Sequence, residues 1–378
     1  MLTRFEVENY KNFKDRLVLD FSDAAGYKFN EDCIIGEVLG KIIICGRNAT
    51  GKTNLCRAIS DIRYGRPIMQ RFDAVSFLNA DSDRGRASFS YEFKFGTDRV
   101  TYCYKKTSPS TFVHEKLEIN GECVFELNHE KAEFDKLNLE LIEAEHMNLA
   151  IYLEELKTRV VDEISAVPSF LMWLFANGAY SEGSAMKALR YYIQRISVLS
   201  APVFVGALSI RRGFNSESEV RGFEKFLNEM GINCKLQLEQ LPDGGSELYV
   251  IHEKRKIPFE QTASSGTRTL ARIYSIIDYA RNRGEPSLLM LDEFDAFFHY
   301  ELSERIIRYL KSEMPRTQIV LTTHDTNLMS TRLMRPDCLF ILSRDGRITP
   351  LMKATKRELR EGHNLEKMYI SGEFADYE

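Results

Sequence analysis

Residues 41–59 read Lys41-Ile42-Ile43-Ile44-Cys45-Gly46-Arg47-Asn48-Ala49-Thr50-Gly51-Lys52-Thr53-Asn54-Leu55-Cys56-Arg57-Ala58-Ile59. An apolar run of strand character enters a complete G-x-x-x-x-G-K-[ST] loop at 46–53, and a helical pattern leaves it. Glycines let successive backbone N–H groups turn inward around phosphates, and the following helix adds the positive end of its dipole. The stretch Asn48, Ala49, Thr50, Gly51, Lys52, Thr53 and Asn54 is therefore expected to line a nucleoside triphosphate. Lys52 would reach the β and γ phosphates, and the Thr53 hydroxyl would face a bridging Mg²⁺. Strand, loop and helix in this order imply an α/β fold of the P-loop type.

Two later strands complete such a site. Ser287-Leu288-Leu289-Met290-Leu291-Asp292-Glu293-Phe294-Asp295 is an apolar run that ends in acid. Asp292 is placed to hold Mg²⁺ and Glu293 to polarise an attacking water, since phosphoryl hydrolysis rests on positioning and charge stabilisation. Gln318-Ile319-Val320-Leu321-Thr322-Thr323-His324-Asp325 is a second such run, and His324 at its end is a candidate γ-phosphate sensor. Between loop and acidic strand, Thr262-Ala263-Ser264-Ser265-Gly266-Thr267-Arg268-Thr269-Leu270 precedes an apolar helix, and a small, hydroxyl-rich turn at a helix start is a second anion site.

The 378 residues, 44% hydrophobic and 28% charged with a net charge of −4, describe a globular protein with no global pull toward nucleic acid. No apolar run reaches bilayer length, and Arg4, Glu6 and Glu8 interrupt any secretory leader, so a cytoplasmic protein with no membrane contact is expected. Seven scattered cysteines without a C-x-x-C pair read as reduced thiols rather than a zinc site or disulfide framework. Local basic clusters at Arg63, Arg66 and Arg71, Lys105-Lys106, Arg211-Arg212 and Lys254-Arg255-Lys256 keep nucleic acid open as a ligand, although solvated surface charge accounts for them more simply.

Alternating residues predict a hairpin at 3–8 and 16–21 and an antiparallel sheet over about 87–127. From 128 to 200 the pattern turns helical, with Phe134, Leu137, Leu141 and Ala144, then Leu149, Leu153, Leu156 and Val160, on 3–4 spacing. A further hairpin links Lys235–Leu238 to Leu248–Ile251 around Pro242-Asp243-Gly244-Gly245. The expected division is residues 1–127 as a first lobe with the phosphate loop and β subdomain, 128–200 as a helical insertion, and 201–378 as a second lobe.

The order of phosphate loop, Ser-Ser-Gly-Thr turn, Leu-Asp-Glu strand and Thr-His-Asp strand resembles the ABC-type ATPases of the structural-maintenance, RecF and OLD group. It is closest to the short AAA_15/AAA_21-type bacterial members, which open like Phe5-Glu6-Val7-Glu8-Asn9-Tyr10-Lys11-Asn12-Phe13-Lys14 and close like Asn364-Leu365-Glu366-Lys367-Met368-Tyr369-Ile370-Ser371-Gly372-Glu373-Phe374. The resemblance covers nearly the whole chain. It implies an ABC-type head that hydrolyses ATP with Mg²⁺ as a nucleotide-sandwich dimer or higher oligomer. Ser265, Gly266 and Thr267 would meet the γ-phosphate held by a partner's Lys52, and Asp295 would be the D-loop acid. Asn79 and Gln70 stand as candidates for the Q-loop position.

OLD relatives end in a Toprim nuclease domain of roughly another hundred residues. This chain is expected to lack it, so any nuclease would be a separate protein. Short members accompany effector genes in phage-defence modules such as PARIS, Septu and the AbiL type, which implies a scaffold or controller of an effector. The competing readings are a RecF-like DNA-binding ATPase of repair or mobile-element maintenance, and a stand-alone phosphatase acting on free nucleotides.

Overall fold

The computed structural model describes residues 1–63, 75–158, 167–200, 214, 216–241 and 245–378. Its centre is a six-stranded sheet in the order Ile196–Ser200, Leu288–Asp292, Gln318–Thr323, Lys41–Cys45, Leu339–Leu342, Ile348–Pro350. The first five strands are parallel and the last is antiparallel. Four of them are buried along their whole length, which explains their unbroken apolar sequences. The phosphate-loop strand comes first in the chain yet lies between two late ones. The acidic strand is therefore not its neighbour, because Gln318–Thr323 runs between them.

The N-terminal hairpin, the four strands of the 87–128 block and Glu133–Leu137 form one antiparallel sheet of seven strands. Leu2–Glu8 bridges them by pairing with Leu17–Asp20 on one side and Ala87–Phe95 on the other. The two sheets are pinned together at Gln318, a fully buried side chain that bonds both backbone groups of Leu2, at 2.9 Å to its N–H and 2.8 Å to its carbonyl. Tyr192 donates a further bond of 2.6 Å to the same amide.

The region from 128 differs from its helical expectation. Glu133–Leu137 is a strand that extends the seven-stranded sheet, and Leu139–Ile142 is a 3-10 turn. Leu137 and Leu141 are solvent-exposed, so their 3–4 spacing marks no buried stripe. Among the described residues the helices of this region are Leu149–Lys157, Phe170–Asn177 and Ala185–Gln194, after which Ile196–Ser200 returns to the central sheet. The expected 235–251 hairpin forms as Leu236–Gln240 with Ser246–Ile251, joined by a third strand, Lys256–Pro258. Its turn residues 242–244 lie outside the described residues, as do Val160, Arg66, Gln70, Arg71, Arg211 and Arg212. No helix among the described residues is long and apolar enough to cross a membrane.

Two buried polar contacts fasten the seven-stranded sheet to its neighbours. Glu115, fully buried, accepts from Tyr102 Oη at 2.5 Å and from Phe170 N at 2.7 Å, and pairs with His129 Nε2 at 2.6 Å, so it holds the start of the Phe170–Asn177 helix. Asp61, just beyond the phosphate-loop helix, accepts from Lys106 Nζ at 2.6 Å and Tyr104 Oη at 2.7 Å. Lys106 is thus a core ion-pair partner with no exposed surface, which removes it from the candidate phosphate-tracking cations. Removing one member of such a pair strands the other charge in the core, so Asp61→Ala should lower the unfolding free energy by about 3–5 kcal/mol. Urea denaturation of both proteins measures the difference.

Candidate nucleotide site

The phosphate loop is held open by unusual backbone. Ala49 and Gly51 both have positive φ, 66° and 99°. A side chain at Gly51 would meet the Asn12 amide 2.2 Å away, and one at Gly46 would meet Thr50 Oγ1 at 2.7 Å and the Leu342 carbonyl at 2.9 Å. Only glycine fits either place. Lys52 is buried, and its Nζ donates to the carbonyls of Gly46 at 2.8 Å and Arg47 at 3.1 Å, which fixes the ammonium over the loop. The helix Lys52–Ser60 has no acidic residue in its first turn, so its dipole remains available to an anion.

Asn12 was not anticipated. Its Nδ2 donates to the Thr50 carbonyl at 3.0 Å and its Oδ1 accepts from Asn54 Nδ2 at 2.7 Å, clamping the loop to the helix it feeds. The N-terminal hairpin brings it there by tertiary pairing. Arg47, exposed in the loop, forms an ion pair with Glu378, and burial, reinforced by the same carboxylate, pushes the Tyr369 hydroxyl up to about 12. The C-terminal segment thereby packs beside the phosphate loop.

The acidic strand reaches the site through its neighbour. Leu291 pairs with Leu321 on one side, and Thr322 and Thr323 pair with Ile44 and Cys45 on the other, so all three strands end at one level. Gly46 N extends the ladder by donating to the Thr323 carbonyl at 3.3 Å. Thr322 Oγ1 donates to Asp292 Oδ1 at 2.7 Å and accepts from Glu293 N at 2.9 Å. Asp292 is 2% exposed and has no ion-pair partner among the described residues. The phosphate-loop helix packs against its strand. A buried carboxylate without a cation, beside a helix that opens with Lys52 and Thr53, fits a divalent ion, and Asp292 with the Thr53 hydroxyl would hold Mg²⁺ there. Glu293 is partly exposed, as a residue addressing substrate must be, and sits at φ 50°, a conformation that costs a non-glycine residue about 1–2 kcal/mol.

At the candidate second anion site the helix begins at Ser265, six residues before the Ala271 start that the apolar pattern indicates, so the hydroxyl-rich turn forms its cap and first turn. The helix spans Ser265–Arg283, and Ser264 is its N-cap, accepting from Thr267 N at 3.1 Å. Ser265 is exposed in the first turn. Gly266 lies against the loop after the acidic strand, where a side chain would stand 3.0 Å from the Phe297 carbonyl. His324 is exposed at the end of its strand.

Asp295, the candidate D-loop acid, is turned inward. It is 6% exposed and its Oδ2 accepts a bond from Thr323 Oγ1, which also accepts from Asp325 N at 2.8 Å. Burial raises the Asp295 carboxyl above the usual aspartate range. The large exposed side chains of that loop are Phe297, His299 and Tyr300. Asn79, a candidate for the Q-loop position, is buried beside the N-terminal turn. Its Nδ2 donates to the Lys11 carbonyl at 2.6 Å and its Oδ1 accepts from Asp81 N at 3.0 Å, so the amide shapes a turn. Among the basic clusters, Arg63, Lys105 and the 254–256 run are exposed, with Lys256 paired to Glu239.

A central parallel sheet with the phosphate loop, acidic strand and switch strand aligned at its carboxyl end, joined to an antiparallel subdomain, defines an ABC-type P-loop head of the SMC-like kind. The family model described as "AAA domain, putative AbiEii toxin, Type IV TA system" matches residues 42–330, and the chain belongs to this family of P-loop ATPases. Solved structures agree in fold. The SMC head bound to the C-winged helix domain of ScpA is 15% identical, with 93% of this chain and 98% of that chain covered and a TM-score of 0.51. The SMC head with an extended coiled coil bound to the C-terminal domain of ScpA, derived from Pyrococcus furiosus, is 14% identical over 93% and 97% at a TM-score of 0.50. The SMC head with a coiled coil and joint from Pyrococcus yayanosii is 13% identical over 93% and 98%, also at 0.50. Comparison with curated proteins yields no match.

Lys52 holds its ammonium over the loop, where it is expected to meet phosphate, so Lys52→Ala should weaken ATP binding by about 3 kcal/mol, roughly a hundredfold in Kd. Titration with a fluorescent ATP analogue reads this directly, and unchanged affinity in a folded variant would contradict the assignment.

Proposed function

We propose that this chain binds Mg·ATP at the 46–53 loop and hydrolyses it in a site completed by a second copy. The observation that carries the reading is the single hydroxyl of Thr322 holding both Asp292 and Glu293 level with the end of the phosphate-loop strand. Lys52 neutralises the phosphates, Glu293 takes the proton of the attacking water and His324 steadies the γ-phosphate. Mg²⁺ supplies charge neutralisation of the phosphate oxygens. Every one of these groups belongs to one face of one head.

Ser265, Gly266 and Thr267 belong to the complementary half. Their helix start is exposed, and a second head placed by a two-fold axis would bring it to the partner's nucleotide, giving an isologous dimer with two shared sites. In this reading residues 1–127 and 201–378 are two lobes of one head, with the strands Glu133–Leu137 and Ile196–Ser200 belonging to its sheets and the helices between them forming the insertion. We assign the ATP-driven dimer the task of scaffolding or controlling a separate effector in antiviral defence. The reference to a toxin and a toxin–antitoxin system in the family description supports this assignment.

A shared site makes a definite demand on mixed proteins. Ser265→Arg keeps its own phosphate loop but blocks the partner's γ-phosphate, and Lys52→Ala does the reverse. Each variant alone should lose at least about 90% of its ATP turnover, whereas a mixture should recover about a quarter of the wild-type rate, because half of randomly formed dimers are mixed and each carries one intact site. Phosphate release is the measurement. No recovery with mixed dimers demonstrated would refute the shared site.

A further inference from the structure

Thr322 has no exposed surface and is the penultimate residue of its strand. Its hydroxyl has one proton and two lone pairs, so it can donate to one group while accepting from another. The proton goes to Asp292 Oδ1 at 2.7 Å, and a lone pair receives the N–H of Glu293 at 2.9 Å. A buried threonine that only satisfied its own polarity would need one partner and could choose a backbone carbonyl of its strand. Here the partners are two consecutive residues on the neighbouring strand's end, and the second is held at φ 50°. Without an acceptor for its N–H, Glu293 would have no reason to keep that strained backbone, and the Asp292 carboxylate would be free to rotate. Thr323, on the opposite face of the strand, makes the analogous bonds to Asp295 and to the N–H of Asp325, so the strand end grips the acidic loop from both sides.

We infer that Thr322 is the positioning residue of the site. It sets the metal-holding oxygen of Asp292 and the direction of Glu293 together, so that neither can be placed without the other. This rests on the ATPase reading above and assigns Thr322 no contact with nucleotide. Valine has the shape of threonine without the hydroxyl, and serine has the hydroxyl without the methyl.

The test compares T322V, T322S and T322A with the wild-type full chain in ATP turnover, in KM, and in equilibrium binding of a fluorescent ATP analogue with Mg²⁺ and with a chelator. In T322V kcat should fall about 10- to 100-fold and the gain in binding that Mg²⁺ confers should shrink about tenfold, while binding in chelator stays at the wild-type value and T322S remains within about threefold of wild type throughout. Should T322V fail to fold, T322A against T322S makes the same comparison of hydroxyl present and absent. Serine falling as far as valine or alanine, or a hydroxyl-free variant matching wild type, would overturn the inference while leaving the ATPase reading intact. A wild-type protein that neither binds nor hydrolyses ATP would instead overturn the reading beneath it.

Discussion

The register of three parallel strands is the constraint on which this molecule depends. Leu291 opposite Leu321, and Thr322 opposite Ile44, bring an acidic pair, a hydroxyl and a glycine loop from three distant parts of the chain to one level. In a parallel ladder a slip of one residue would turn each side chain to the other face. Asp292 would leave its bond with Thr322, and Gly46 would lose the Thr323 carbonyl. The apolar burial of all three strands makes such a slip costly, so the core that stabilises the sheet also fixes the geometry of the site.

Much of this was legible in the sequence because it is local. The strand, loop and helix around 41–60 follow from contiguous residues, and so do the hairpins and the acidic strand end. What could not be read were pairings between distant segments. Nothing in Gln318–Thr323 says that it lies between the acidic strand and the phosphate-loop strand, and nothing in the N-terminal turn says that Asn12 will brace Gly51. Thr322 and Thr323 were visible as two hydroxyls at the end of a buried apolar run, a signal that the adjacent histidine overshadowed. Spacing misled where burial decides the outcome. Leu137 and Leu141 have helical periodicity but face solvent. Lys106 shows the same limit, since a pair of lysines cannot reveal that one lies in the core with Asp61.

The seven-stranded sheet ties the phosphate-loop helix to the helical insertion through one face. There Asp61, just beyond the phosphate-loop helix, is bonded to Tyr104 and Lys106. On the same face Glu115 holds the N-terminus of Phe170–Asn177 and accepts from Tyr102, which lies two residues from Tyr104 on the same strand. Rigid, fully buried polar contacts of this kind transmit displacement poorly through rearrangement but well as a solid body. The insertion is therefore fastened to the head, which suits the proposed association of two copies.

That association is the central claim, and the mass of the particle in solution tests it most directly. In the proposed site Glu293→Gln keeps the groups assigned to Mg·ATP and removes the charge assigned to polarising water, so it should hold the nucleotide without consuming it. Light scattering on this variant should give 43.7 kDa without nucleotide and about twice that with Mg·ATP. A variant that binds Mg·ATP with normal affinity yet keeps the same mass with and without it would contradict the account.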